Sequence, residues 1–227
     1  MKERSSVRAV LAEDSSSANA DILATLLDLE WASAGILKVS VAEGPSFFLR
    51  DEYAEASLLS ALEPGLRLSP EQTEALLFAS HCYLAERDAV AYLARAEHCR
   101  FQLSVKLARK GHSQQAIARA LDYLEQKNWL SDRRFAEAWL RSRSIHRAEG
   151  RSRLVAELRS RGVSAEIAEE SVSASLSPED EESRCMKAAE RFIARGREGN
   201  KLVTSLSRAG FSHQTIKTCL KKAGNTD

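Results

Sequence analysis

Proline is scarce in this 227-residue chain, at four residues, and glycine contributes only ten. So few breakers, together with 29% charged residues, favour a helical chain over an all-β or disordered one. The four cysteines, Cys82, Cys99, Cys185 and Cys219, stand far apart and form no CxxC pair. No apolar signal region precedes them, so a reduced, cytoplasmic protein without a disulfide framework is expected. No apolar run approaches the roughly 18 residues that a spanning helix requires, which argues against a membrane partner.

Catalytic signatures are missing as well. There is no HExxH, GxSxG or EF-hand pattern, and no glycine-rich phosphate loop following a strand. His81-Cys82 and His98-Cys99 invite a metal reading, but adjacent helical residues point about 100° apart and chelate poorly. Ordinary histidines and buried thiols are expected there. The sequence predicts neither an enzyme nor a cofactor nor a metal site.

What is there begins with charge. The chain totals +1, yet residues 1–80 carry a net −7 and residues 81–227 a net +8. Within the latter, 95–161 holds sixteen Lys/Arg against seven Asp/Glu, while 162–227 is balanced at ten each. Local potential steers partners more than the total does.

The first 70 residues read as a small acidic mixed unit. Residues 1–20 show weak periodicity and are expected to be loosely packed. Over Asp21–Ala32 a helix competes with a strand. Ile36–Val41 alternates, Glu43-Gly44-Pro45-Ser46 breaks the chain, and Phe47-Phe48-Leu49 follows, predicting a β-hairpin. A lone hairpin is marginal in water, so a third strand or a helix should support it. Tyr53–Leu62 predicts a short helix ended by Pro64-Gly65, and Leu66–Leu68 a further short strand. Ser69, Pro70 and Gln72 then form a capping-box start to a helix, with a second helix expected over Asp88–Glu97.

From there one phrase is written three times: Leu103–Leu107–Gly111–Ser113–Ile117–Leu121, Leu154–Leu158–Gly162–Ser164–Ile167–Val172 and Leu202–Leu206–Gly210–Ser212–Ile216–Leu220. The leucine pairs occupy one helix face, each glycine suits a left-handed helix end, and each serine is placed to cap the next helix. Upstream helices are expected at Asp88–Glu97, Asp132–Ile145 and Glu179–Ala194, the acidic run Glu179–Glu182 marking a helix N-terminus. The predicted fold is mainly α: three tandem three-helix repeats in an elongated curved array, behind a small N-terminal α+β unit with a hairpin. The expected boundaries are 1–70, 71–130, 131–177 and 178–227.

Asp132–Arg161 is the basic concentration. Its helix buries Phe135, Ala138 and Trp139 in this reading, with Arg134 and Arg141 beside them. Arginine's planar fork suits carboxylates and phosphates, so an anionic partner is expected on Lys106, Arg109, Lys110, Arg133, Arg134, Arg141, Arg143, Arg147, Arg151 and Arg153.

These residues resemble the RecX regulatory family. Leu124–Ala136 (LEQKNWLSDRRFA) is similar to its most specific stretch, and Leu103–Gly111, Leu158–Val163 and Leu206–Phe211 to others, covering about 86–222. The family often has an acidic residue where this chain has Arg133. The resemblance implies tandem three-helix repeats that bind the filament of a RecA-type recombinase on single-stranded DNA. It implies inhibition of the filament's ATPase and strand exchange, hence a role in homologous recombination, DNA repair and the SOS response, and no catalytic residues. A monomer is expected, making at most weak, sequence-independent contact with naked DNA. Two other readings compete: a direct DNA-binding protein whose Gly-x-Ser turns build helix-turn-helix-like units, and a helical scaffold for another protein.

Overall fold

The computed structural model describes residues 24–42 and 44–223. The expectation for residues 1–20 lies outside them.

Three strands, β1 (Leu26–Ser33), β2 (Ile36–Val41) and β3 (Phe47–Arg50), form an antiparallel sheet in the order β1-β2-β3. The register places Trp31, Leu37 and Leu49 in one row and Leu29, Val39 and Phe47 in the next. Of these, Leu37, Val39 and Leu49 are buried. The competition over residues 21–32 therefore resolves as strand from Leu26 on. Leu29 and Trp31 continue the cross-strand rows of β2, and the third strand gives the hairpin the support a two-stranded ribbon lacks. Leu66–Leu68 forms only a bridge, Thr25 to Arg67, with backbone bonds from Leu26 N to Leu66 O and from Leu68 N to Ala24 O, both 2.9 Å. The helix expected over 53–62 is shorter: a 3₁₀ turn at Asp51–Tyr53, then α1 (Ala56–Ser60).

The following helix, α2, runs unbroken from Pro70 to Leu93. Its start is the expected capping box: Gln72 N–H donates to Ser69 Oγ (3.2 Å) and Ser69 N–H to Gln72 Oε1 (2.9 Å). The two helices read from the sequence are one. Glu86-Arg87-Asp88 contains no breaker, and Ala85 and Ala89 are both fully buried, which holds the interval helical. Glu86 is itself fixed from the sheet. Arg50 donates to both its oxygens (2.7 and 2.5 Å), and the Tyr53 hydroxyl adds a third bond at 2.9 Å. Burying a carboxylate is costly unless partners of this kind satisfy its oxygens.

Eight shorter helices follow: α3 (Arg100–Arg109), α4 (Gln114–Gln126), α5 (Asp132–His146), α6 (Arg151–Ser160), α7 (Ala165–Ser175), α8 (Pro178–Ile193), α9 (Gly199–Arg208) and α10 (His213–Ala223). The thrice-written phrase has one geometry. Its six leucines at 103, 107, 154, 158, 202 and 206 are buried. Gly111, Gly162 and Gly210 sit at φ +92°, +94° and +93°, a region open to glycine but strained for other residues. Ser113, Ser164 and Ser212 each accept a backbone N–H three residues on, at 3.2, 3.3 and 3.0 Å.

The chain clusters into two compact units, one running through Asp88 and including Leu107–Asp122, the other made of Ala89–Lys106 and Tyr123 onward. The second unit contains two apolar cores. One gathers Phe135, Ala136, Leu140, Leu154, Leu158 and Val172 from α5–α7. The other gathers Cys185, Ala188, Leu202, Leu206, Phe211 and Ile216 from α8–α10. The buried stripe of α5 is thus Phe135–Ala136–Leu140, with Ala138 and Trp139 only half-buried. No helix among the described residues is long and apolar enough to cross a membrane.

Candidate partner-binding surface

Within the second unit the middle helices of successive repeats are tied by one device used twice. An α-helix leaves its first N–H groups unpaired. The N–H of Arg100, first residue of α3, donates to Asp132 Oδ1 at 2.7 Å, and that of Arg151, first residue of α6, to Glu181 Oε1 at 2.9 Å. Each carboxylate comes from the first helix of the next repeat and meets the positive end of the helix dipole. The glycines join in. A Cβ on Gly162 would lie 2.3 Å from Phe101 Cβ at the start of α3, and one on Gly210 would lie 2.4 Å from Arg153 Cβ on α6. The carbonyl of Gly210 accepts the Ser152 hydroxyl at 2.8 Å, and Cys99 Sγ donates to Arg161 O at 3.1 Å.

Within the second unit several of the ten cations expected to meet a partner are instead committed to neighbouring elements. Arg134 brackets the end of α4, donating to Glu97 Oε1, the carbonyl and side-chain oxygens of Asn128, and Trp129 O, all at 2.9–3.0 Å. Arg151 reaches Ser173 Oγ (2.6 Å) and Leu176 O (3.0 Å), closing the end of α7. Arg133 pairs with Glu170. Both partners are half-exposed, so this pair contributes little to stability.

Three of the ten do converge, on the buried carboxylate of Glu149. Arg143 donates to it through two nitrogens (2.7 and 3.1 Å), Arg153 stands 3.0 Å from it, and the more exposed Arg147 stands at 3.9 Å. The Glu149 hydrogen bonds hold the Arg143 guanidinium above its ordinary range. Nearby, the hydrogen bond from Arg161 is the main cause that lowers Glu157. Arg143 and Arg161 also lie 5.2 and 4.8 Å from the Trp139 ring, within cation–π range.

Lys106 sits 3.1 Å from His98 Nε2 and 4.7 Å from the Tyr92 ring centre. In the first unit Lys110 pairs with Asp88 at 2.8 Å, which His112 Nε2 also meets at 2.9 Å. Burial tends to raise Asp88, but those two partners outweigh it and hold the carboxyl below its usual value. Arg109 and Arg141 face solvent. Burial pushes the Cys82 thiol up to about 11, and raises Cys99 and Cys185 as well.

Counting charge along the sequence missed a second group of cations. Arg184, Lys187 and Arg191 of α8, spaced at three and four residues, have no side-chain partner among the described residues. Their spacing was the available signal, hidden because 162–227 is neutral as a whole.

Known proteins share this repeat structure. Residues 85–124 match the model of the first three-helix domain of RecX, and 131–172 that of the second. The regulatory protein RecX of Treponema pallidum (strain Nichols) is 38% identical over 156 residues, covering 69% of this chain and 95% of the relative. The chain belongs to the RecX family. The RecX of Chromohalobacter salexigens is 35% identical over 139 residues, 60% of this chain and 90% of that one. Among solved structures, a crystal structure of regulatory protein RecX superposes with a TM-score of 0.71 at 17% identity, over 88% of this chain and all of the other. RecX from Lactobacillus salivarius superposes at 0.58 and 21%, over 63% of this chain and 97% of the other. At these identities the structures speak for the RecX fold alone.

Proposed function

We propose that this protein regulates homologous recombination by binding the filament that a RecA-type recombinase forms on single-stranded DNA. Bound there, it lowers the filament's ATPase and strand-exchange activity. The observation that carries this reading is the 38% identity over 95% of a relative named as a regulatory protein. The role needs no chemistry from the protein itself. Recognition of a long, repetitive partner comes from many modest contacts presented in register, so avidity replaces a single deep site.

Of the ten cations, Arg134, Arg143 and Arg151 hold helices in place, so on this reading the exposed Arg109 and Arg147 are the ones that meet the filament. The test is recombinase ATPase and strand exchange on single-stranded DNA with the protein titrated in. Both should fall with saturation. Unchanged rates at several-fold excess over filament sites overturn the reading.

A further inference from the structure

Arg184, Lys187, Arg191 and Arg195 follow one another at intervals of three, four and four residues, so they line one face of α8 and its C-terminal exit over about 16 Å. None has an ion-pair or hydrogen-bond partner for its side chain among the described residues. A guanidinium or ammonium in solvent is ordinary, but four unpartnered cations in one row beside a concavity are not.

Two cavities open along this row and share Arg147, Ala148 and Arg191. The larger, about 440 Å³, has Ala148, Ala188, Phe192 and Ala209 as its apolar floor and Arg147, Arg191 and Arg195 at its rim. That volume falls in the range of small-ligand sites, about 300–1,000 Å³. The smaller, about 350 Å³, carries Arg184 and Lys187, with Asp180 and Ser183 at its far end. The carboxylate that borders the larger cavity, Glu149, is already neutralised by Arg143 and Arg153. It therefore offers an incoming anion little repulsion.

An apolar floor under a cationic rim fits a nucleotide, whose base is flat and apolar-faced and whose phosphate is anionic. A row of further cations beyond it fits a polymer of nucleotides over a single one. A duplex, with its bases stacked inside, would set phosphates on the row and leave the floor empty, and a run of acidic side chains alone would leave it empty too. We propose that this groove binds a single strand of nucleic acid without sequence preference, its phosphates on Arg147, Lys187, Arg191 and Arg195 and one base against Phe192. This goes beyond the filament reading, because it requires no recombinase.

The test is fluorescence anisotropy of the full chain with labelled oligo-dT and no recombinase present, over a series of salt concentrations. An abasic strand of equal length, a duplex and poly-glutamate are run alongside. Wild type should bind oligo-dT more tightly than either the abasic strand or the duplex. K187A/R191A should weaken binding by about tenfold and reduce the log–log salt slope by about 1.4, the loss of two single-strand phosphate contacts. Both residues are exposed and unpartnered, so this variant keeps its fold. F192L, which preserves apolar packing, should leave the salt slope intact and bring oligo-dT down to the abasic strand. Absent binding, an unaffected K187A/R191A, or equal affinity for oligo-dT and abasic strand overturns the proposal. Displacement of oligo-dT by poly-glutamate as effective as by unlabelled oligo-dT also overturns it and assigns the groove to an acidic protein. ATPase measured on the same variant separates this result from the filament reading.

Discussion

The carboxylate of Asp132 accepts the backbone N–H of Arg100 at 2.7 Å, across thirty-two residues of chain. Glu181 repeats the contact on Arg151 at 2.9 Å across thirty. Each first helix of a repeat thereby completes the middle helix of the repeat before it, which is the nearest-neighbour coupling on which tandem arrays depend.

Removing the carboxylate should expose that dependence. D132A should destabilise the protein by about 1 kcal/mol, the usual cost of a lost helix cap, while D132N, which keeps an acceptor oxygen, should cost a small fraction of that. Urea unfolding compares the two, and equal losses would deny Asp132 its capping role.

The three phrase glycines share a backbone conformation but not an environment. Nothing lies within 4 Å of a Cβ built on Gly111, whereas Gly162 and Gly210 would meet Phe101 and Arg153 at 2.3 and 2.4 Å. G111A should therefore show only the left-handed backbone penalty, about 1–2 kcal/mol. G162A and G210A should each lose clearly more, because backbone or a fixed Cβ must move. A thermal melt of the three variants checks the order.

Alanine substitutions in the basic segment should separate by structural duty. R134A and R151A remove bonds to carbonyls and carboxylates that close α4 and α7, and should lower the unfolding free energy by about 1 kcal/mol or more, in line with the cost of lost hydrogen bonds to a charged group. R109A and R147A should stay within about 0.5 kcal/mol of wild type. If the exposed pair meets the filament, R109A/R147A loses ATPase inhibition at unchanged stability. Inhibition at wild-type strength removes those residues from the interface.

Acid should act on the first unit in two steps. Burial, aided by the nearby His112, holds His81 below its ordinary 6.5. The folded state thus binds that proton less readily than the unfolded chain. The contribution is complete above about pH 6.5 and declines as pH falls below it. Asp88, held below 3.8, contributes stability that persists above that value and is lost as pH drops further. Unfolding free energies measured from pH 7.5 to 5 should fall for wild type and fall less for H81Q. The Asp88 contribution appears only in the more acidic range, where D88N should flatten the decline.

What the sequence made legible was local. The φ values of Gly111, Gly162 and Gly210, the serine caps and the Ser69–Gln72 box each depend on residues within one turn, so spacing alone reveals them. The same locality misled at Asp88: an acidic residue suited to a helix start sits in mid-α2, because buried Ala85 and Ala89 and the Arg50–Glu86 pair decide the matter from outside the local window. The fate of the arginines was illegible for the same reason. Arg134 finds Glu97 thirty-seven residues back, and Arg151 finds Leu176 twenty-five ahead. A count of positive charges cannot tell a cation committed to a carbonyl from one left over, and so it favoured 132–161 over the unpartnered row on α8.

The borrowed caps also order events on the ribosome. When Arg151 is added to the chain, the acceptor for its N–H is still thirty residues from being made. The second repeat therefore reaches its finished form only after translation has entered α8, and the same delay separates Arg100 from Asp132. Completion passes down the nascent chain one repeat behind synthesis.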